Sequence, residues 1–115
     1  MSKQTSKEVK GWRERLARPL TREDTDVSNS WHSCAVGEAL HLDKICNHTN
    51  YYDILKNLEM RHLELARMGN AFHQAVKLGD NDRARRWYDY IEKYVVAHGG
   101  SKALRNSILK SPKVD

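Results

Sequence analysis

The feature that most constrains the fold is an apolar stripe between residues 51 and 76. Its members recur with alternating steps of four and three residues: Tyr51, Leu55, Leu58, His62, Leu65, Gly69, Phe72 and Val76. This period places all of them on one face of an α-helix. Asn50 or Asp53 can cap its start and Gly79 its end. The stripe therefore predicts one helix from about residue 52 to 78, roughly 40 Å long.

A second apolar face follows the turn sequence LGDND. Its members are Ala84, Trp87, Tyr88, Ile91, Val95 and His98. Arg85, Asp89 and Lys93 recur at steps of four on the opposite face, which is typical of solvated ion pairs. Two apolar faces joined by a tight turn predict an antiparallel helical hairpin. Gly69 lies inside the first stripe and predicts a close approach of another helix, bearing the Trp87 ring, at that point.

A shorter helix is expected over residues 31–42, with Trp31, Ala35 and Leu42 on one side. It would cover the open side of the hairpin. The predicted fold class is therefore all-α: a small three-helix domain built on a long antiparallel helical hairpin. Residues 21–30, TREDTDVSNS, are polar and are predicted to be a linker.

The excess positive charge lies at the two ends of the sequence. Six lysines and arginines stand against two glutamates in residues 1–20, and four against one aspartate in residues 99–115. We expect weakly ordered basic segments on both sides of the domain. The predicted organisation is a basic N-terminal segment with a short helix and linker (1–28), a helical domain (29–98) and a basic C-terminal tail (99–115).

Residues 68–94, MGNAFHQAVKLGDNDRARRWYDYIEKY, resemble a single tetratricopeptide-type helical hairpin. Met68, Gly69 and Phe72 match the first helix of that unit, and Ala84 and Tyr88 match the second. The first helix is about one turn too long for the 34-residue repeat, and stacked repeats need about three units. The resemblance implies a peptide-binding or oligomerising surface and no catalysis.

Composition indicates a water-soluble protein in a reducing compartment. There is no run of 18 apolar residues, and the N-terminal sequence lacks the pattern of a secretory signal. Two cysteines twelve residues apart do not make a disulfide scaffold. We therefore expect a cytoplasmic protein that has no membrane contact.

Four side chains between residues 34 and 48 include the residue types that bind zinc. Cys34 and His41 would share a helix face, and Cys46 and His48 follow in the loop. Their spacing lacks the paired steps of known zinc sites, so the default interpretation is a buried Cys34 and no cofactor. A Cys–His nucleophilic pair would need a third group to orient the base, and the sequence does not supply one.

These features predict a small non-enzymatic helical protein that binds and modulates a protein partner, alone or as a dimer. Tyr, Trp and Arg dominate the energetics of interfaces, and the chain has three tryptophans and five tyrosines. The alternative is a nucleic-acid-binding protein that uses its basic tails and an arginine cluster. A zinc-stabilised helical module is a third, minor alternative. The candidate binding residues are Trp12, Arg13, Arg15, Arg83, Arg85 and Arg86.

Overall fold

A computed structural model of the chain describes residues 11–29, 34–47 and 49–109. These residues contain no β-strand, so the all-α prediction is confirmed. None of the described helices is both long and apolar enough to cross a bilayer. The helices in chain order are α1 (Trp12–Arg15), α2 (Arg22–Ser28), α3 (Ala35–Leu40), a 3-10 turn (Leu42–Lys44), α4 (Tyr51–Arg61), α5 (Leu63–Lys77), α6 (Asn81–Ala97) and α7 (Ser101–Leu109).

Helices α5 and α6 form the predicted antiparallel hairpin. Gly79 has φ +72°, the left-handed conformation that ends a helix at little cost only in glycine. The Asp80 side chain then accepts a hydrogen bond from the Arg83 backbone N–H at 3.0 Å and caps α6. The two apolar faces meet in the core through Leu65, Phe72, Val76, Ala84, Tyr88, Ile91 and Val95.

The prediction of one uninterrupted helix over residues 52–78 is wrong. Helix α4 ends at Arg61 and α5 begins at Leu63, because His62 leaves helical geometry with φ −137° and ψ 56°. Its ring Nδ1 lies 2.9 Å from the Tyr94 hydroxyl of α6, and its Nε2 lies 3.3 Å from the Ser107 hydroxyl of α7. No proline or glycine marks the break, and the apolar period continues through it.

The described part of the predicted linker, residues 21–29, is mostly helical, because α2 occupies Arg22–Ser28. The Thr21 side chain accepts a hydrogen bond from the Asp24 backbone N–H, and the Asp24 carboxylate accepts one from the Thr21 N–H. This reciprocal capping box starts a helix reliably. Its sequence signature, Thr-x-x-Asp, is present at 21–24 and identifies the helix start that hydrophobic periodicity misses.

The prediction of three helices is wrong, because the described residues contain seven α-helices. The N-terminal segment contributes Trp12 and Leu16 to the core, and α7 contributes Leu104 and Ile108. Helix α3 is also shorter than the predicted 31–42 helix, and Trp31 lies outside the described residues. Described residues from all three predicted segments therefore contribute to one hydrophobic core.

The close approach predicted at Gly69 is present, but the neighbour is α3. A Cβ atom built on Gly69 would lie 2.7 Å from Cγ2 of Val36, closer than side-chain atoms normally approach. Val36 is buried and its β-branched side chain has few rotamers, so it cannot easily move aside. Glycine at this position thus lets α3 and α5 pack together.

Candidate functional site

The three arginines of the predicted cluster on α6 point to different surroundings. Arg85 donates a hydrogen bond to the Leu16 carbonyl oxygen at 2.8 Å, so it faces the N-terminal segment. On the surface, Nε of Arg83 lies 3.6 Å from Oδ2 of Asp80. Arg86 is exposed and pairs with no acidic side chain among the described residues. All three arginines are exposed, and Arg85 differs from Arg83 and Arg86 in its hydrogen bond to the N-terminal segment.

Two aromatic side chains share one side of α6 with these two arginines. Residues three, four and seven positions apart lie on the same helix face, which groups Arg83, Arg86, Trp87 and Tyr90. We call these four residues the aromatic–arginine face. The Trp87 and Tyr90 rings are in edge contact with centroids 5.5 Å apart, and Tyr90 is 49% exposed. Trp87 is partly buried against the core, which holds the pair in place.

The N-terminal candidate residues lie on a different side of α6 or in the core. Trp12 is only 1% exposed, and its ring meets the Phe72 ring edge-on with centroids 4.9 Å apart. Arg13 pairs with Glu92, which shares its helix side with Arg85. Arg15 is buried and bonds to Asp24 at 2.8 Å. The structure therefore buries Trp12 and Arg15, whereas Arg13 stays exposed beside Asp89 and Glu92.

Glu38 of α3 connects the N-terminal segment to α6, a role that sequence reasoning missed. Its Oε1 accepts a hydrogen bond from the Trp12 backbone N–H at 3.0 Å, and its Oε2 accepts one from the Tyr88 hydroxyl at 2.7 Å. Burial and the hydrogen bond to the Glu38 carboxylate both raise the pKa of Tyr88 far above its ordinary value. Tyr88 therefore stays a neutral donor, and the pair fixes α6 relative to α3.

The candidate zinc ligands do not form a cluster in the part of the chain that the structure describes. Cys34 caps α3, where its Sγ accepts a hydrogen bond from the Gly37 N–H at 3.4 Å. His41 is exposed at the C-terminal end of that helix, and Cys46 follows the 3-10 turn. No group of three potential ligands occurs among the described residues, and His48 lies outside them.

Burial, more than any other factor, raises the pKa of the Cys34 thiol above its ordinary value. The backbone hydrogen bonds that Sγ accepts act in the opposite direction but do not outweigh it. A nucleophilic cysteine needs an environment that favours the thiolate. The surroundings of Cys34 favour the neutral thiol, as expected for a cysteine with a structural role.

The surroundings of two described histidines, His62 and His73, lower the pKa of the ring and so favour its neutral form. Burial lowers the pKa of His62, and the nearby His98 and Arg61 lower it further. Burial and Lys77 lower the pKa of His73, whose Nδ1 lies 2.5 Å from the Ser28 hydroxyl. Each ring therefore stabilises the fold in its neutral form by joining helices that are distant in sequence.

We expect the protein to lose stability as the pH falls below about 6.5, the ordinary pKa of histidine. A histidine with a lowered pKa in the folded state binds a proton more readily when the chain unfolds, so acid favours unfolding. The loss should continue until the pH reaches the lowered values of His62 and His73, and then level off. Urea denaturation at intervals between pH 8 and 5 measures it. The double variant His62→Gln, His73→Gln should show a flatter profile, and a wild-type midpoint that rises toward pH 5 would contradict the assignment.

Comparisons with known proteins give no relative for this fold or its aromatic–arginine face. No family model, curated protein or solved structure matches the chain. The tetratricopeptide-type resemblance therefore rests on the residues within 68–94 alone. These residues do form a helical hairpin, but that hairpin packs against four further α-helices of the described chain and contacts α1 through Phe72 and Trp12.

Proposed function

We propose that this chain is a small non-enzymatic helical interaction protein that binds and modulates a protein partner through the aromatic–arginine face. The observation that carries the proposal is the edge contact between the partly buried Trp87 and the exposed Tyr90, beside Arg83 and Arg86 on one side of α6. Trp, Tyr and Arg are the residue types that most often dominate binding energy. Because Trp87 packs against the core, the pair loses little conformational entropy on binding.

The chemistry of the face favours an acidic partner with an apolar pocket. Arg86 has no acidic partner among the described residues, so a carboxylate from another protein would complement it. A symmetric dimer through the same face would bring each Arg86 close to the other copy's positive charge, because a twofold interface meets itself. We therefore favour a foreign acidic protein over a second copy of this chain.

Nucleic acid is the alternative occupant, because Arg83 and Arg86 also suit phosphates. The N-terminal arginines support this alternative less well: Arg13 pairs with Glu92, while Arg15 and Arg18 pair with Asp24. These intramolecular ion pairs reduce the positive charge that the described N-terminal residues can offer to a phosphate backbone. A nucleic-acid complex would weaken steeply with added salt as counterions are released.

Affinity capture tests the proposal when it compares three versions of the tagged full chain. The variants are Arg86→Glu with Tyr90→Ser on the face, and Arg22→Glu at an exposed position of α2 as the matched charge control. Capture is repeated after nuclease treatment. We expect a protein that stays bound to the wild-type chain after nuclease treatment and that also binds the Arg22→Glu control. The face variant should bind the same protein at least tenfold more weakly and lose it on capture.

Other outcomes decide against the proposal. Binding that disappears after nuclease, or that falls steeply with salt for purified RNA or DNA, would favour the nucleic-acid alternative. Equal capture by the face variant and the wild-type chain would show that the partner uses another surface. Sedimentation of the purified protein alone measures self-association, and a dimer that the Arg86→Glu, Tyr90→Ser variant dissociates would replace the foreign partner with a second copy.

A further inference from the structure

A cleft of about 470 Å³ opens between α2–α3 on one side and α4–α5 on the other. Its size falls in the range of about 300 to 1,000 Å³ that is typical of small-molecule sites. Apolar side chains form much of its wall: Leu55 from α4, Leu63 and Ala66 from α5, and Val36 from α3. None of these residues belongs to the aromatic–arginine face, so the cleft is a separate feature.

The polar groups of the cleft are distributed unevenly between its walls. Arg67, Asn70 and His73 line it at steps of three along α5, and Ser28 faces His73 from α2. Glu59 lines it from α4, on the other side of the helix break at His62, and it does not form an ion pair with Arg67. Neither Glu59 nor Arg67 forms an ion pair with another described residue. The wall from α5 is therefore basic and hydrogen-bonding, whereas the wall from α4 carries an acidic side chain.

We propose that this cleft binds a small molecule with an apolar chain and a single carboxylate, which pairs with Arg67 while the chain lies along Leu63 and Leu55. Arginine binds a carboxylate through two parallel hydrogen bonds, and Asn70 beside it can donate another. The apolar wall removes the chain from water. Glu59 on the α4 wall repels a second negative charge, so the site selects a monocarboxylate over a dicarboxylate. The proposal does not depend on the protein partner.

Calorimetric titration of the full chain with three related probes tests both charges. The probes are octanoate, 1-octanol and octanedioate, which share a chain length and differ in their ends. For the wild-type chain we expect octanoate to bind roughly tenfold more tightly than 1-octanol, since a hydrogen-bonded charge pair is worth about that factor. Octanedioate should also bind more weakly than octanoate.

Substitutions of Arg67 and Glu59 test which residue causes each difference in affinity between the probes. Arg67→Gln should bind octanoate and 1-octanol equally, and Glu59→Gln should bind octanedioate as tightly as octanoate. Arg22→Gln, an exposed arginine of α2 outside the cleft, should keep the wild-type pattern. All three substitutions are on exposed side chains, and circular dichroism checks that each variant is folded.

Three results would overturn the proposal. These are no detectable binding of octanoate at millimolar concentration, equal affinity for octanoate and 1-octanol in the wild-type chain, and an unchanged preference in Arg67→Gln. Amide chemical shifts give a second measurement that is independent of affinity. Octanoate should perturb Leu63, Ala66 and Arg67, and perturbations confined to other regions would place the ligand elsewhere and equally reject the cleft.

Discussion

Replacing Asp24 with asparagine is expected to lower the free energy of unfolding by about 3 kcal/mol. The Asp24 side chain is fully buried and bonds to Arg15 at 2.8 Å and to Arg18 at 2.7 Å. Asparagine has nearly the same shape but no charge, so the guanidinium of Arg15, whose side chain is only 10% exposed, would lose its counter-ion. Arg18 is partly solvated and would lose less, which places the expected effect at the lower end for a broken buried ion pair.

Urea denaturation at pH 7 measures this effect, with Asp26→Asn as the control. Asp26 lies on the same helix but is exposed, so its replacement should change the free energy by less than about 0.5 kcal/mol. Adding Arg15→Met to Asp24→Asn should restore part of the loss, because it removes the unpaired charge. Equal stability of Asp24→Asn and the wild-type chain would show that water, and not the fold, solvates this cluster.

The loss of stability in Asp24→Asn should depend on pH, because the pKa of Asp24 differs between the folded and unfolded chain. Burial alone would raise this pKa, but hydrogen bonds from Arg18, Thr21 and Arg15 outweigh it and hold the pKa well below its ordinary value. A lowered pKa means that the carboxylate stabilises the fold above about pH 4, the ordinary value, and that this contribution is lost as the pH falls below it. The difference in free energy of unfolding between the wild-type chain and Asp24→Asn should therefore become smaller as the pH falls below about 4.

Hydrophobic periodicity predicted the central hairpin correctly, because the apolar residues that recur with the helical period are the ones that the fold buries. Leu58, Leu65 and Phe72 are fully buried, and so is Ile91 on the facing helix. Glycine at position 79 also marked the turn correctly, since it adopts a left-handed conformation there. Local sequence is sufficient for these features because period and helix-ending residues act within a few turns.

Features that depend on distant partners could not be read from the sequence in the same way. The break at His62 depends on hydroxyls of Tyr94 and Ser107, which are more than thirty residues away. The positive charge of Arg13 and Arg15 suggested a solvated tail, but carboxylates at positions 92 and 24 neutralise it in the fold. The composition gives the number of charged residues, but only the fold shows which of them form ion pairs.

The proposed binding face overlaps only in part with the binding residues that were selected from the sequence. Arg83 and Arg86 were selected from the sequence, but Arg85 was grouped with them although it contacts the N-terminal segment. Trp87 and Tyr90 were not selected, because a tryptophan on an apolar helix face is usually a core residue. The useful signal is that Trp87 and Tyr90 continue the spacing of the two arginines at steps of three and four, so that the apolar face borders a basic one at Trp87.

Replacing Trp12 with alanine is expected to lower the free energy of unfolding by about 3 to 5 kcal/mol, as removal of a buried aromatic ring does. The ring is 1% exposed, meets Phe72 edge-on and lies beneath the Arg15 guanidinium, which is 5.5 Å from its centroid. Its loss would leave a cavity between α1 and α5 and weaken the packing beside the Asp24 ion pair. Urea denaturation followed by far-ultraviolet circular dichroism measures the effect.

This substitution also decides whether the N-terminal segment belongs to the folded core or presents Trp12 to nucleic acid. Tyr52→Ala is the matched control, because Tyr52 is 78% exposed and its replacement should change the free energy by less than about 0.5 kcal/mol. A core role requires that Trp12→Ala destabilises the fold and that Trp12→Phe recovers part of the loss. If Trp12→Ala instead left stability unchanged and weakened binding to single-stranded RNA or DNA, the ring would be a stacking platform, and the packing described for α1 would be incorrect.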